Sequence, residues 1–256
     1  TRDGDAASDW PPDLFFRWSG WCGMADYIRW AGRVQHFLAR ATPRRRVALY
    51  YPLEEFQREF VPHPDYTLGY VDAAPVGNDS ARAMHLNLGE LMNALIRRNV
   101  AFDLVPRPLL DRVRDRVLVV PTGARVAGVA NAVPQGDRAP DACIAEVDRR
   151  LGPRVRVEGP HAEPRPRPVS PRLSDPYVHE GDDDGGVWVR EFEFDGRPAV
   201  LLWNANATAF EGRCDLVETG PWSVWNPADG TLEPRGETDR LEMSLAPHSL
   251  LVVLGE

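Results

Sequence analysis

A chain of 256 residues can bury one large core or two ordinary ones, and 43% hydrophobic with 27% charged residues describes a folded rather than a disordered protein. The net charge of −8 makes a phosphate polyanion a poor partner, so no nucleic acid is expected, and the short basic runs Arg44-Arg45-Arg46 and Arg165/Arg167 read as solvated charge. No stretch nears the roughly 20 apolar residues that cross a bilayer, so no membrane partner is expected.

The chain opens on Thr1 with no visible targeting segment, as a processed protein or a piece of a longer one would, and its compartment is not legible. Residues 10–23 are rich in aromatics and proline. Trp10, Phe15, Phe16, Trp18 and Trp21 sit in a stretch too short to form its own core, so they are expected to mark an interface. They should dock partly on the rest of the chain and partly on a missing neighbour or a second copy. A helix is predicted over 24–40 from the spacing of Tyr27, Trp30, Val34, Phe37 and Leu38.

The run VALYYP, opened by Arg46 and stopped by Pro52, reads as a buried parallel strand. A helix follows over 79–99, with Met84, Leu88, Leu91, Met92, Leu95 and Ile96 on one side. Residues 101–105 form the next strand, 108–113 a short helix and 116–123 a third strand. Strand–helix alternation with short connections predicts a parallel α/β sheet. A helix over 143–151 and a last strand over 155–159 would complete about four strands. Six prolines between 160 and 176 predict a linker.

Beyond it the pattern changes to period 2. Val187, Val189, Phe192 and Phe194 alternate with polar residues, and Asp195-Gly196 signals a hairpin leading to 200–203. Asp229-Gly230 marks another turn, and 241–245 and 249–254 close a predicted antiparallel β-sandwich. The domains are therefore placed at 1–45 (aromatic segment and helix), 46–159 (α/β), 160–176 (linker) and 177–256 (sandwich).

Candidate chemistry is sparse. Cys22, Cys143 and Cys214 are too far apart for a metal pattern and odd in number, so they read as structural thiols; no metal and no cofactor are expected. Neither a nucleophile elbow nor a phosphate loop occurs, and Asp182-Asp183-Asp184 lacks the alternation of a calcium loop. Glu54 and Glu55 follow the first parallel strand, where open α/β sheets bind ligands, and Asp103 is a candidate for the same edge. They are the candidates for acid–base chemistry, with solvated surface acids as the competing reading. Among the tryptophans of the β region, Trp188 and Trp203 read as core, whereas Trp222 and Trp225 are candidate carbohydrate contacts. Asn78-Asp-Ser80 and Asn206-Ala-Thr208 match the glycosylation sequon and read as chance.

The order of segments resembles the region after the catalytic barrel in large α-L-rhamnosidase-like glycoside hydrolases, family 106 and relatives. The resemblance is carried by DWPPDLFFRWSGW, DYIRWAGRVQHFLA and RRVALYYPLEEF, by AFDLV and RVLVVPTG, and by VREFEFDGRPAVLLWNAN, WSVWNPADGTLEP and LAPHSLLVVL. It covers nearly the whole chain, with residues 124–174 departing from it. It implies a flavodoxin-like domain followed by a β-sandwich, and a glycoside hydrolase parent. The family's acid and base lie in an upstream barrel, so no catalytic role is carried onto any residue here. The expectation is a non-catalytic accessory region whose partners are an upstream catalytic domain or carbohydrate, with a homo-oligomer as a further possibility. A self-standing carbohydrate-binding protein and a small hydrolase working at the sheet edge are the rival readings.

Overall fold

The computed structural model describes residues 23–59, 79–166 and 185–256. Trp10, Phe15, Phe16, Trp18, Trp21, Cys22, the sequon residue Asn78 and Asp182–Asp184 lie outside these residues, as does most of the 160–176 segment.

The smaller sheet is parallel and four-stranded. Its strands are β2 (Val47–Tyr50), β3 (Phe102–Val105), β4 (Val117–Val120) and β5 (Ala132–Pro134), in spatial order β3-β2-β4-β5. Every residue of β2 is buried because the sheet is covered on both faces. Val47, Leu49, Val119 and Val133 face Leu88, Leu91 and Leu95 of helix α3 (Asp79–Arg97) and Ile144 and Val147 of α4 (Pro140–Leu151). Ala48, Tyr50, Leu118 and Val120 face the other way, against a 3-10 helix (Arg107–Val113) and the loop carrying Val126 and Val129. A short helix α2 (Leu53–Glu59) follows Pro52.

Helix α3 stops two residues before the predicted end. Asn99 adopts a left-handed φ of 54°, and the Asn99 and Val100 amides donate back to the Ile96 and Leu95 carbonyls at 2.8 and 2.9 Å. This is the paired closure that Gly or Asn makes past a helix end.

The larger sheet is antiparallel. It runs β1 (Ala41–Pro43), β7 (Val187–Phe194), β8 (Arg197–Asn204), β11 (Leu250–Gly255), β9 (Phe210–Trp225), β10 (Leu232–Leu245), with β6 (Arg156–Glu158) also paired to β9. The predicted hairpin turn is present: Asp195 and Gly196 both take positive φ, 51° and 79°, which suits the twist of a two-residue hairpin.

Three expectations are corrected. The sandwich of two sheets is one continuous sheet curled into a half-barrel. Strand β9 is 16 residues long, pairs β6 through its first half and β11 through its last residues, and irregularities at Pro234/Gly236 and Thr238/Arg240 in β10 accompany the bend. The curl closes over Val189, Val200, Leu202, Phe210, Cys214, Leu241 and Leu245. Second, residues 156–158 do not complete the parallel sheet. They join β9, because Val155 and Val157 enter the half-barrel core once Gly152 (φ 67°) has turned the chain out of α4. The fourth parallel strand is instead β5, a three-residue segment with one buried side chain, too short to leave a periodic signal. Third, β1 was not foreseen: Ala41 to Pro43 leave α1 directly and pair with Phe194 to Phe192.

Helix α1 (Met24–Arg40) lies on the outer face of the half-barrel and buries only Phe37. That ring meets Phe192 edge-on at 5.6 Å, stacks on Phe194 at 5.1 Å and reaches Trp225 at 6.2 Å. Polar ties fix the helix at two points. Arg33 donates to the Pro227 and Ala228 carbonyls at 3.0 and 2.8 Å, and Arg40 pairs with Asp195.

Candidate functional site

The carboxyl edge of the parallel sheet brings together residues from two connections. Tyr50 ends β2, and Glu54 and Glu55 occupy the first turn of α2, where negative charge suits a helix N-terminus. Arg107 opens the 3-10 helix after β3 and Pro106, and meets both acids: 2.7 Å to Glu54 and 3.2 Å to Glu55. The Tyr50 hydroxyl donates to Glu55 at 3.3 Å, and the Arg107 guanidinium stands 5.9 Å from the Tyr50 ring centroid. Burial, and then the Glu55 charge, push the Tyr50 phenol above its ordinary pKa. Arg107 also donates to the Arg125 carbonyl at 3.1 Å. One guanidinium thus ties α2, the 3-10 helix and the loop after β4 together across the sheet's edge.

Further along that edge Gln135, which follows β5, is buried. It exchanges amide hydrogen bonds with Asn87 at 2.7 and 2.9 Å and accepts from the Thr122 amide at 3.2 Å. The polar groups closing this edge between β4 and β5 satisfy one another.

Asp103 does not join them. It pairs with Arg45 and, at 2.6 Å, with Arg116, and both arginines precede their strands, so its side chain is held toward the amino edge. The expectation that it faces the same edge as Glu54 and Glu55 is corrected.

The tryptophans differ in position from the expectation. Trp222 is buried in the half-barrel core and has no open ring face, and Trp225 is half-buried against Phe37. The reason is register: Val252 pairs with Trp225 and Gly255 with Trp222 where β9 crosses β11 in the middle of the sheet. Trp188 and Trp203 are directly opposite each other on β7 and β8, on the outer face, and Trp203 is 41% exposed. The alternation carried the signal. Val187, Val189, Val200 and Leu202 go to the core, which sends Trp188, Arg190 and Trp203 outward.

A third cluster joins the two sheets and was not foreseen. The Asn99 side chain accepts from the Val189 amide and donates to the Val187 carbonyl, each at 2.9 Å, as a neighbouring strand would on the β7 edge. Arg46 donates to the Leu151 and Pro153 carbonyls at 3.2 Å and to Glu191 at 3.0 Å. Glu191 in turn accepts from the Val155 amide at 3.2 Å.

Asn206, the acceptor of the second sequon, is buried, and its amide donates to Asn204 Oδ1 at 2.8 Å and the His161 carbonyl at 3.3 Å. Cys143 and Cys214 are free and buried; burial, with Asp215 second, pushes the Cys214 thiol up to about 12. Among the described residues no cluster of three His, Cys, Asp or Glu side chains suits a metal, and no helix is long and apolar enough to cross a membrane.

No family model and no curated protein matches the chain. Among solved structures it is similar to a rhamnosidase from Novosphingobium sp. PP1Y, with 14% identity and a TM-score of 0.48, over 92% of this chain and 25% of that one. A β-galactosidase from Bacillus circulans sp. alkalophilus is similar at 11% identity and a TM-score of 0.43, over 84% of this chain and 42% of that one. A GH42 β-galactosidase from G. stearothermophilus is similar at 11% identity and 0.44, over 84% and 40%. The chain thus spans between a quarter and about two-fifths of these proteins, at scores that assign no chemistry to its residues.

Proposed function

We propose that this chain is a non-catalytic accessory region of a glycoside hydrolase, a stiff block that braces a carbohydrate-active barrel or shapes the rim of its cleft. The observation that carries this reading is the stitching of the two sheets. Residues 41–43 and 156–158, on either side of the parallel sheet in sequence, are both strands of the antiparallel sheet. Asn99 and Arg46 close the seam between them. A segment crossing twice between sheets, with its polar groups satisfied at the crossing, resists hinge motion, as a brace must.

The parallel sheet's order, with its second strand outside its first, agrees with the flavodoxin-like reading of residues 46–159. The 160–176 boundary remains part of this proposal, with β1 and β6 assigned by pairing to the half-barrel. The ordered sequence resemblance supplies the glycoside hydrolase parent. Glu54 and Glu55 are then fastenings of the sheet edge rather than an acid–base pair, since both engage Arg107.

Incubating the chain alone with a panel of aryl glycosides tests this. The expected result is no chromophore release above background. Sustained release that Glu54→Gln or Glu55→Gln abolishes would establish the rival reading, a small hydrolase with its site at the sheet edge. A reading frame that continues upstream of Thr1 into a barrel is the second expected finding.

A further inference from the structure

On the outer face of the half-barrel, α1 covers the end that carries Phe192, Phe194 and Val252. The end that carries Trp188 and Trp203 has different chemistry. We propose that Trp188, Trp203 and Arg190 form a binding site for a carboxylate-bearing sugar, a uronate residue of a glycan.

The two indoles are direct cross-strand partners with ring centroids 6.0 Å apart and planes tilted by 38°; Trp188 is half-buried and Trp203 exposed, so Trp203 presents the open part of this aromatic pair. Trp188 is oriented by its own hydrogen bond, Nε1 donating to the Gly185 carbonyl at 2.7 Å, so its ring is held before any ligand arrives. Arg190 lies two residues along β7 on the same face, its guanidinium 5.3 Å from the Trp188 ring centroid.

The charge of Arg190 selects the ligand. It donates to the Val189 carbonyl at 2.7 Å, and among the described residues no carboxylate pairs with it. Two other arginines of the region differ: Arg45 is paired with Asp103, and Arg46 with Glu191, the residue after Arg190. Burial, and then the charge of Arg45, pull the Arg190 pKa below its ordinary value. A pyranose places its apolar C–H face on an indole, and a carboxylate at its C5 position gives the guanidinium the partner it lacks. A neutral sugar leaves the cation unpaired, and a bare carboxylate leaves the indoles unused. The site does not depend on the bracing role and stands or falls separately from it.

The test is calorimetric titration of the full chain with a short oligogalacturonate, with the same oligomer after methyl esterification, and with acetate. The acid oligomer is expected to bind, the ester at least about tenfold more weakly, and acetate not at all, because a hydrogen bond to a charged group contributes at least that factor. Trp203→Ala, at an exposed position whose loss leaves the core intact, and Arg190→Gln are each expected to weaken the acid oligomer about tenfold or more while the far-ultraviolet dichroism is unchanged. If Arg190→Gln does not fold, the acid–ester ratio on the native chain decides the role of the charge. No binding of the acid oligomer to the folded chain, equal binding of acid and ester, or unchanged binding by Trp203→Ala would each overturn the proposal.

Discussion

The parallel and the antiparallel sheets bury their strands in opposite ways. The parallel sheet draws its strands from one run of chain, residues 47–134, and is covered on both faces, so its functional surface is confined to its edges. The half-barrel recruits β1 and β6 from outside its own run, closes one face over its core and leaves part of the other open. Its exposed aromatic surface is a consequence of that asymmetry. A sheet with one covered face has a second face to offer, whereas a sheet covered twice has only the ends of its strands. At those ends Arg107 already holds the acids, and the Asn87 and Gln135 amides bind each other.

The largest expected effects test whether the two sheets form one body. Phe210→Ala in the half-barrel core should cost roughly 3–5 kcal/mol, and Leu49→Ala at the centre of the parallel sheet roughly 2–5 kcal/mol. In urea, both variants should shift a single transition seen alike by tryptophan fluorescence and far-ultraviolet dichroism. Two separated transitions would mean that the seam does not couple the sheets.

Alkaline pH should come next. The Cys214 thiol is raised from 9.0 to about 12 by burial and then Asp215, and burial also raises Cys143 and Tyr50. A raised value means that the folded state favours the neutral, protonated group. The contribution is whole below the ordinary pKa and is lost as pH climbs above about 9 for the thiols and about 10 for the phenol, at up to roughly 1.4 kcal/mol per pH unit for each group. Urea midpoints should therefore fall between about pH 9 and pH 11, and Cys214→Ala should flatten the fall. A midpoint independent of pH in that range would contradict the burial of these groups.

Cutting the seam should be milder. Asn99→Gly keeps the left-handed turn but removes both side-chain hydrogen bonds to the β7 edge, at a cost of about 1–3 kcal/mol, read from the same urea curves. The smallest effect is expected at the sheet edge. Glu54 is largely solvated and Arg107 keeps Glu55, so Glu54→Gln should change stability by less than about 0.5 kcal/mol in thermal melts. A larger loss would give that edge a weight its exposure does not predict.

Helix α1, strands β2, β3 and β4, helices α3 and α4 and the Asp195-Gly196 hairpin were legible because each is written in a local pattern: a 3–4 spacing, a continuous apolar run, or a turn dipeptide. The three-residue strands β1 and β5 were not, since hydrogen bonds to distant partners define them and three residues carry no period; β6 was foreseen as a strand over 155–159, but not its pairing with β9. At the candidate sites, Glu54 and Glu55 were correctly placed after β2, but that they share Arg107 depends on a residue 52 positions from Glu55. The tryptophans show the limit most sharply. Period 2 says that Trp188 and Trp203 lie opposite the valines of their strands, yet composition alone sends a tryptophan inward.

The sequence by itself determined the longer helices and strands, that a parallel α/β part precedes an antiparallel part, and which side chains share a strand face, because backbone sterics and side-chain alternation act over a few residues. Only the tertiary structure decided that the second part is one curled sheet, that β6 belongs to it, and that one face of it stays open at Trp188 and Trp203 beside the α1 dock. Those outcomes follow from which surfaces remain after the long-range pairings have formed. Residues 41–43 and 156–158 pair with Phe192–Phe194 and Arg213–Asp215, far away in sequence, and no pattern within three residues records that.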